Sequence, residues 1–221
     1  MGVADFTRTA PHSNALVRSG DVVARGVVLN IDSTVGDHRS FEMLFEQLTL
    51  DRSIIYIGVD GATKEGMAIA MGFGEASRFG LGILLRNYVR RHGFLPHCMR
   101  IDQGSEYIGE WLEELCSLYK IDLHWNATAN SRSSSDAENL HNCSRTAVLI
   151  HLPGSTEPDK AGRSVSNQYK SYKTAWLAFK TVREQVENYV SEDVAKTPLS
   201  DGKSPVDHAN GAKGAFQLGI P

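Results

Sequence analysis

The stretch that decides the fold is Val27-Val28-Leu29-Asn30-Ile31-Asp32, a run rich in β-branched residues that predicts a strand ending on an acid. Two more apolar runs follow, Ile54-Ile55-Tyr56-Ile57-Gly58-Val59 and Met67-Ala68-Ile69-Ala70-Met71, and Asp60-Gly61-Ala62-Thr63-Lys64 between them has turn chemistry. We therefore expect three strands in an antiparallel meander. The pattern of residues 41–51, between the first two runs, leaves helix and strand open.

Helices and strands then alternate along the chain. Ser77 is a candidate N-cap and Gly93 a candidate C-terminal stop for a helix with a regular apolar face. The remaining predicted elements are a strand at 97–102, a helix around 111–119, a strand at 121–125, a helix at 136–150 and a last helix at about 174–190. The order βββ-α-β-α-β-α predicts an α/β ribonuclease-H-like fold, a mixed five-stranded sheet flanked by helices.

Three regions follow from this division of the chain. We expect an N-terminal arm at 1–25, the ribonuclease-H-like core at 26–195, and a C-terminal tail at 196–221 that leads to a domain beyond this chain. The polar, Ser-rich residues 126–135 are expected to form a loop between the fifth strand and the third helix.

Composition limits the function. With 23 Lys+Arg against 26 Asp+Glu, the 221-residue chain has a formal net charge of −3, so strong nucleic-acid binding requires local basic patches. No apolar run is long enough to span a membrane. The three cysteines make no disulfide framework or zinc-finger spacing, which favours a reducing cytoplasm.

Three acids form the candidate reaction centre. Asp32 and Asp102 end the first and fourth predicted strands, which lie side by side in this fold, and Glu138 begins the third helix. Such carboxylates repel one another unless a cation lies between them, and their hard oxygens favour Mg²⁺ or Mn²⁺, with two ions serving phosphoryl transfer. Glu138 also fits a capping box with Ser135, and Asp60 is a rival third acid in a position where turns favour Asp anyway.

The sequence resembles the catalytic cores of DDE transposases and retroviral-type integrases, and within that group the bacterial Mu and TnsB-like transposases most. The resemblance covers about residues 27–210 and is carried by these motifs, in order: Leu29-Asn30-Ile31-Asp32-Ser33-Thr34, Val59-Asp60-Gly61-Ala62-Thr63-Lys64, Ile101-Asp102-Gln103-Gly104-Ser105-Glu106-Tyr107, Glu138 after Ser134-Ser135-Asp136-Ala137, His151-Leu152-Pro153-Gly154-Ser155-Thr156 and Gly202-Lys203-Ser204-Pro205-Val206.

The resemblance implies cleavage of transposon ends, followed by attack of the freed 3′-hydroxyl on target DNA. It also implies that Asp32, Asp102 and Glu138 hold the metal ions, that the whole protein forms a homo-oligomer on DNA, and that an ATPase can assist target selection. The expected location is the bacterial cytoplasm, at the nucleoid, with no membrane partner.

Further residues are candidates for contact with DNA. Asn142 and Arg145 follow Glu138 at i+4 and i+7 on one helix face, and Arg132 lies in the Ser-rich loop. A solvated helix face and a solvated loop explain the same residues equally well. His141 is expected to be a surface or packing residue, and all three tryptophans are expected to pack.

Two rival functions stay open. The first is a nuclease on the same fold that only hydrolyses, and a strand-transfer assay separates it from a transferase. The second is an inactive core that serves as a DNA-assembly module, and this alternative predicts neither metal binding near Asp32 and Asp102 nor metal-dependent cleavage.

Overall fold

The structure is a computed structural model and describes residues 24–44, 46–102, 110–126, 135–156 and 170–211. Residues 1–23, the Ser-rich loop with Arg132, and Glu106 lie outside the described residues. The strands are β1 Val28–Leu44, β2 Gln47–Asp60, β3 Gly66–Phe73, β4 Cys98–Asp102 and β5 Asp122–Asn126. The helices are α1 Arg78–His92, α2 Glu110–Tyr119, α3 Ser135–Ala147, α4 Phe179–Asn188 and α5 Pro205–Gly211, with a 3₁₀ turn at Leu149–His151 and a π-helical turn at Tyr189–Val194.

The five strands form one mixed sheet in the order β3-β2-β1-β4-β5. β1 pairs with β2 and β2 with β3 in antiparallel fashion, whereas β4 is parallel to both β1 and β5. This arrangement confirms the predicted meander and the predicted α/β class with a mixed five-stranded sheet flanked by helices.

Each face of the sheet buries its own apolar core. Alternate residues of β2 point to opposite faces, so that Ile54 and Tyr56 join one core while Ile55 and Ile57 join the other. Helices α1 and α2 cover the first core, and α3, α4 and the π-helical turn cover the second. The sheet is therefore buried on both faces, which explains the nearly continuous apolar runs in the sequence.

The limits of α1 are those that the sequence predicted. The Ser77 side chain accepts the Gly80 N–H, and Gly93 has the left-handed conformation, φ 74°, with its N–H donating to the Val89 carbonyl. Gly80 is also needed for packing, because a methyl group there would overlap the ring of Tyr56.

β1 is much longer than predicted, and the expectation that Asp32 ends the first strand is wrong. The strand continues to Leu44, with a bulge between Val35 and Arg39. Residues 41–44 and 47–51, whose type was open, are the two sides of the β1–β2 hairpin. Its far half is stabilised by distant chain segments, since Arg39 N–H donates to the Gly154 carbonyl at 2.8 Å.

The last two predicted helices are shorter than expected. α3 ends at Ala147, where the 3₁₀ turn follows, and α4 begins at Phe179 instead of about Thr174. The reason for the late start is that residue 178 is extended and forms a bridge with Phe41 of β1.

Trp111 and Trp125 pack against the first core as expected, but Trp176 does not, because 65% of its surface is exposed. The thiols of Cys98 on β4 and Cys116 on α2 are buried, and Cys143 on α3 is partly exposed. Within the described ranges, no helix is both long enough and apolar enough to cross a bilayer.

Candidate active site

The two strand acids lie level with each other on neighbouring strands. The last pair between the parallel strands β1 and β4 joins Ile31 to Ile101, and Asp32 and Asp102 are the next residues on each. Neighbouring strands are separated by about 4.8 Å, so the main chains of Asp32 and Asp102 lie close to each other. For Asp102 the structure describes the main chain and not the side chain.

The carboxylate of Asp32 is fixed and partly open to solvent. Its Oδ1 accepts the N–H of Ser33 at 2.8 Å, and 23% of the side-chain surface is exposed. On the same face of the sheet, α3 brings the imidazole of His141 to 3.3 Å from the Asp32 carbonyl oxygen and 3.9 Å from Asp32 Oδ2. α3 is therefore held directly over Asp32.

His141 is a neutral imidazole at physiological pH. Burial lowers its pKa to about 4, against a smaller upward effect of the hydrogen bond with the Asp32 main chain. With its proton on Nε2, the neutral ring donates to the Asp32 carbonyl. His141 thus acts on the position of Asp32 and does not serve as a cation beside it.

Glu138 lies on the same side of α3 as His141. Residues three apart on a helix share a face, and Glu138 is exposed one turn before the His141–Asp32 contact. The structure brings the helix of Glu138 to Asp32; it describes no contact of the Glu138 carboxylate. The capping box with Ser135 falls outside the described side chains.

Asp60 is a turn residue and not a third ligand. Its Oδ1 accepts the N–H of Gly26 at 2.7 Å, and its Oδ2 accepts the main-chain and hydroxyl groups of Thr63 at 2.8 and 2.9 Å. The residue is 1% exposed. The same turn helps to place α3, because Lys64 Nζ lies 2.6 Å from Asp136 Oδ2 in the first turn of that helix.

Of the candidate DNA contacts, Asn142 is exposed and Arg145 forms an ion pair. Arg145 Nε lies 2.7 Å from Asp37 Oδ2, and the other oxygen of Asp37 lies 2.7 Å from Arg52 Nη2 on β2. Asp37 lies in the bulge of β1, so it ties α3 to the hairpin. Asn142 and Arg145 line a pocket on this surface, beside His141.

The chemistry of Asp32 suits a hard divalent cation. Carboxylate oxygens are the ligands that Mg²⁺ and Mn²⁺ prefer, and the imidazole close to Asp32 is engaged with a main-chain carbonyl. Among the side chains that the structure describes, no group of three His, Cys, Asp or Glu residues is arranged to hold a metal. Asp32 and Glu138 are among these described side chains, whereas the side chain of Asp102 is not.

Sequence reasoning missed two residues at this site. His141 was expected to be a surface or packing residue, and its contact with Asp32 is a long-range one that no local pattern signals. Asp37 had no predicted role. It follows Gly36 shortly after the end of the predicted first strand, and this position is the one feature of the local sequence that points to an irregularity there.

No protein-family model and no curated protein matches the sequence. Among solved structures, the catalytic core domain of BIV integrase matches with a TM-score of 0.51 and 13% identity, over 84% of this chain and 95% of that one. The simian T-cell lymphotropic virus intasome, in complex with PP2A regulatory subunit B56 gamma, matches with a TM-score of 0.54 and 14% identity, over 90% of this chain and 59% of that one. The chain has the ribonuclease-H-like fold of integrase catalytic cores.

Proposed function

We propose that this chain is the catalytic core of a DDE-type DNA transposase, which cleaves transposon ends and transfers the freed 3′-hydroxyl into target DNA. The observation that carries the proposal is the level position of Asp32 and Asp102 on parallel strands, with α3 anchored over Asp32 by His141. The integrase-core fold supports a polynucleotidyl transferase. The sequence motifs support the transposase branch, near the bacterial Mu and TnsB-like proteins.

In this proposal, Asp32, Asp102 and Glu138 hold Mg²⁺ or Mn²⁺, in two sites. When bound, such ions activate the attacking oxygen and offset charge on the leaving oxygen. The protein's own part is orientation, since Ser33 N–H holds one carboxylate oxygen of Asp32 and His141 holds its main chain. Water or a DNA 3′-hydroxyl is the nucleophile, so no side chain is needed in that role.

The proposed partners are transposon ends and target DNA. The residues proposed to contact phosphates are Arg132, Asn142 and Arg145. Arg145 would either leave its ion pair with Asp37 to bind a phosphate or contact Asp37 and the phosphate at the same time. One of the structural neighbours belongs to an intasome, and we extend to this chain assembly as a homo-oligomer on DNA, with an ATPase as a possible target-selection partner. The bacterial cytoplasm, at the nucleoid, is the proposed location.

A branched oligonucleotide tests the chemistry without knowledge of the recognised end sequence. It carries a free 3′-hydroxyl beside a junction, so that the reverse of strand transfer joins one strand and releases the other. We expect joining with Mn²⁺ or Mg²⁺ and none with EDTA. The variants Asp32→Asn, Asp102→Asn and Glu138→Gln should each lower joining at least 1000-fold, on the order of the contribution of a catalytic metal site.

Glu192→Gln is the matched control, because that exposed carboxylate pairs only with Lys196 in the next turn among its described contacts, and it should join like the parent chain. Full joining by Asp102→Asn would refute the metal assignment. Metal-dependent release of strands without joining would favour the rival nuclease. A folded chain that neither binds Mn²⁺ nor joins would favour the assembly module.

A further inference from the structure

The segment that leads into α4 presents two exposed aromatic rings among lysines. Trp176 is 65% exposed and Tyr172 48% exposed. Lys170, Lys173 and Lys180 are also exposed, and no acidic residue occurs between positions 170 and 180. We name the five residues Lys170, Tyr172, Lys173, Trp176 and Lys180 the basic aromatic strip.

The strip is fastened to the sheet. The guanidinium of Arg39 on β1 lies 4.2 Å from the ring centroid of Tyr172, and Arg39 Nη1 donates to Ser171 Oγ at 2.7 Å. Phe41 N–H donates to the Leu177 carbonyl at 3.1 Å. Arg39 is itself buried and covers one face of the Tyr172 ring. The exposed part of Tyr172 therefore lies away from that covered face.

The charge of the strip is opposite to that of the chain. The whole sequence has a net charge of −3, whereas positions 170–180 contribute three lysines and no acid. The charge of Lys180 is partly offset by Glu184, whose Oε1 lies 3.8 Å from the Lys180 Nζ, so Lys170 and Lys173 carry most of the positive charge of the strip. A local positive surface on an acidic protein attracts a polyanion at that surface and not elsewhere. Neither core needs the exposed rings, because Phe179 and not Trp176 packs in the second core.

We propose that the basic aromatic strip binds single-stranded DNA, with bases stacked on Tyr172 and Trp176 and phosphates held by the lysines. Exposed aromatic rings in a basic setting bind unpaired bases, since each base has a free face for stacking. In a duplex those faces are already covered by neighbouring bases, so the rings favour unpaired strands. The proposal rests on the proposed function for the choice of DNA, because cleavage at an end leaves strands that can separate.

The test measures the anisotropy of a labelled dT oligonucleotide of about 15 nucleotides, near the upper end of the ~4–16 nucleotide range of such sites, in EDTA. We expect Trp176→Ala and Tyr172→Ala each to weaken binding roughly tenfold, and Trp176→Phe to retain most of it. Lys170→Ala should make the slope of log K for binding against log salt concentration less negative by about 0.7. The ring variants should leave that slope unchanged.

Each kind of variant has a control that makes the same type of change outside the strip. Phe79→Ala removes a ring that is 79% exposed on α1, and Lys203→Ala removes an exposed lysine near α5; neither should change binding. Equal binding by the parent chain and both ring variants would overturn the proposal, as would an equal loss in Phe79→Ala. If light scattering shows self-association that Trp176→Ala abolishes while oligonucleotide affinity is unchanged, the strip is a protein interface and the proposal is wrong.

The result is separable from the proposed chemistry. The dT assay contains EDTA and no metal, so it measures binding by the strip independently of the metal-dependent joining. Joining of the branched substrate with no dependence of dT binding on the rings would overturn the strip alone. Ring-dependent dT binding without joining by the parent chain would support the strip and count against the transposase.

Discussion

His141 contacts Asp32 at its main-chain carbonyl, an atom that no substitution at Asp32 removes. The contact crosses from α3 to β1 and fixes where the strand carries its acid relative to the helix that carries Glu138. At this scale, the contact is of the kind by which one residue positions another. Loss of comparable supporting hydrogen bonds at metal sites costs about 10–100-fold in affinity or activity.

Two variants separate the hydrogen bond from packing. His141→Gln keeps a donor at about the position of Nε2 for the Asp32 carbonyl but loses the ring, whereas His141→Leu keeps apolar volume but has no donor. We expect His141→Leu to join the branched substrate about 10–100-fold more slowly than the parent chain, and His141→Gln to lie between the two. Thermal unfolding of both variants checks that the fold is intact, and parent-like joining by His141→Leu would contradict the positioning role.

At the scale of elements, the two halves of β1 have different neighbours on the side of the strand away from β2. The first half is parallel to β4, and beyond Ile31 the free edge is completed by residues from the segments around Gly154 and Leu177. The sequence predicted the first half, because its apolar run is local. The second half contains Ser, Thr, Gly and Asp, which are typical of turns, and it is a strand because it pairs with β2 across the hairpin and with the segments around Gly154 and Leu177.

Gly154 is required where the loop after α3 crosses β1. Its φ is +109°, and a methyl group there would overlap the Arg39 carbonyl oxygen. We expect Gly154→Ala to lower the free energy of unfolding by about 1–3 kcal/mol beyond the cost of its backbone conformation. Gly202→Ala is the matched control, since Gly202 has φ +81° with open space around it.

Urea unfolding of the two variants measures the difference. Gly202→Ala should lose only about 1 kcal/mol, the cost of the positive φ alone. If the two variants lose the same amount, the close approach to β1 does not contribute to stability.

For the whole molecule, the sequence predicted that the strands of Asp32 and Asp102 are neighbours, but not what surrounds these two residues. The order of elements fixes which strands are neighbours, and this placed Asp32 and Asp102 side by side in advance. The orientation of α3 depends on packing of Leu140 and on the Lys64–Asp136 pair, which join segments far apart in the chain. Contacts of that kind, including those of His141 and Asp37, leave no periodic signal.

Buried histidines make the stability of the whole molecule depend on pH. Burial lowers the pKa of His38 below its usual 6.5, and its Nε2 lies 2.8 Å from the Pro153 carbonyl. The unfolded chain therefore binds a proton near pH 6.5 that the folded chain takes up only at lower pH. Stability is fully present above pH 6.5 and falls as the pH drops toward the lowered pKa of the folded state.

His38→Gln checks this dependence with urea unfolding at pH 8 and pH 5. The variant should lose less stability between the two values than the parent chain. The slope should shrink and not vanish, because burial also lowers the pKa of His92. An unchanged slope would mean that His38 does not contribute to the acid sensitivity.

The burial of two of the three thiols has a practical consequence. Burial raises the pKa of Cys98 and Cys116 to about 12, so both stay protonated and shielded at neutral pH. Cys143, on α3, is the thiol that an alkylating dye can reach in the folded chain. A single fluorophore can therefore be attached to the helix that carries Glu138 with every native residue in place, and its emission would report how that helix responds to added magnesium or DNA.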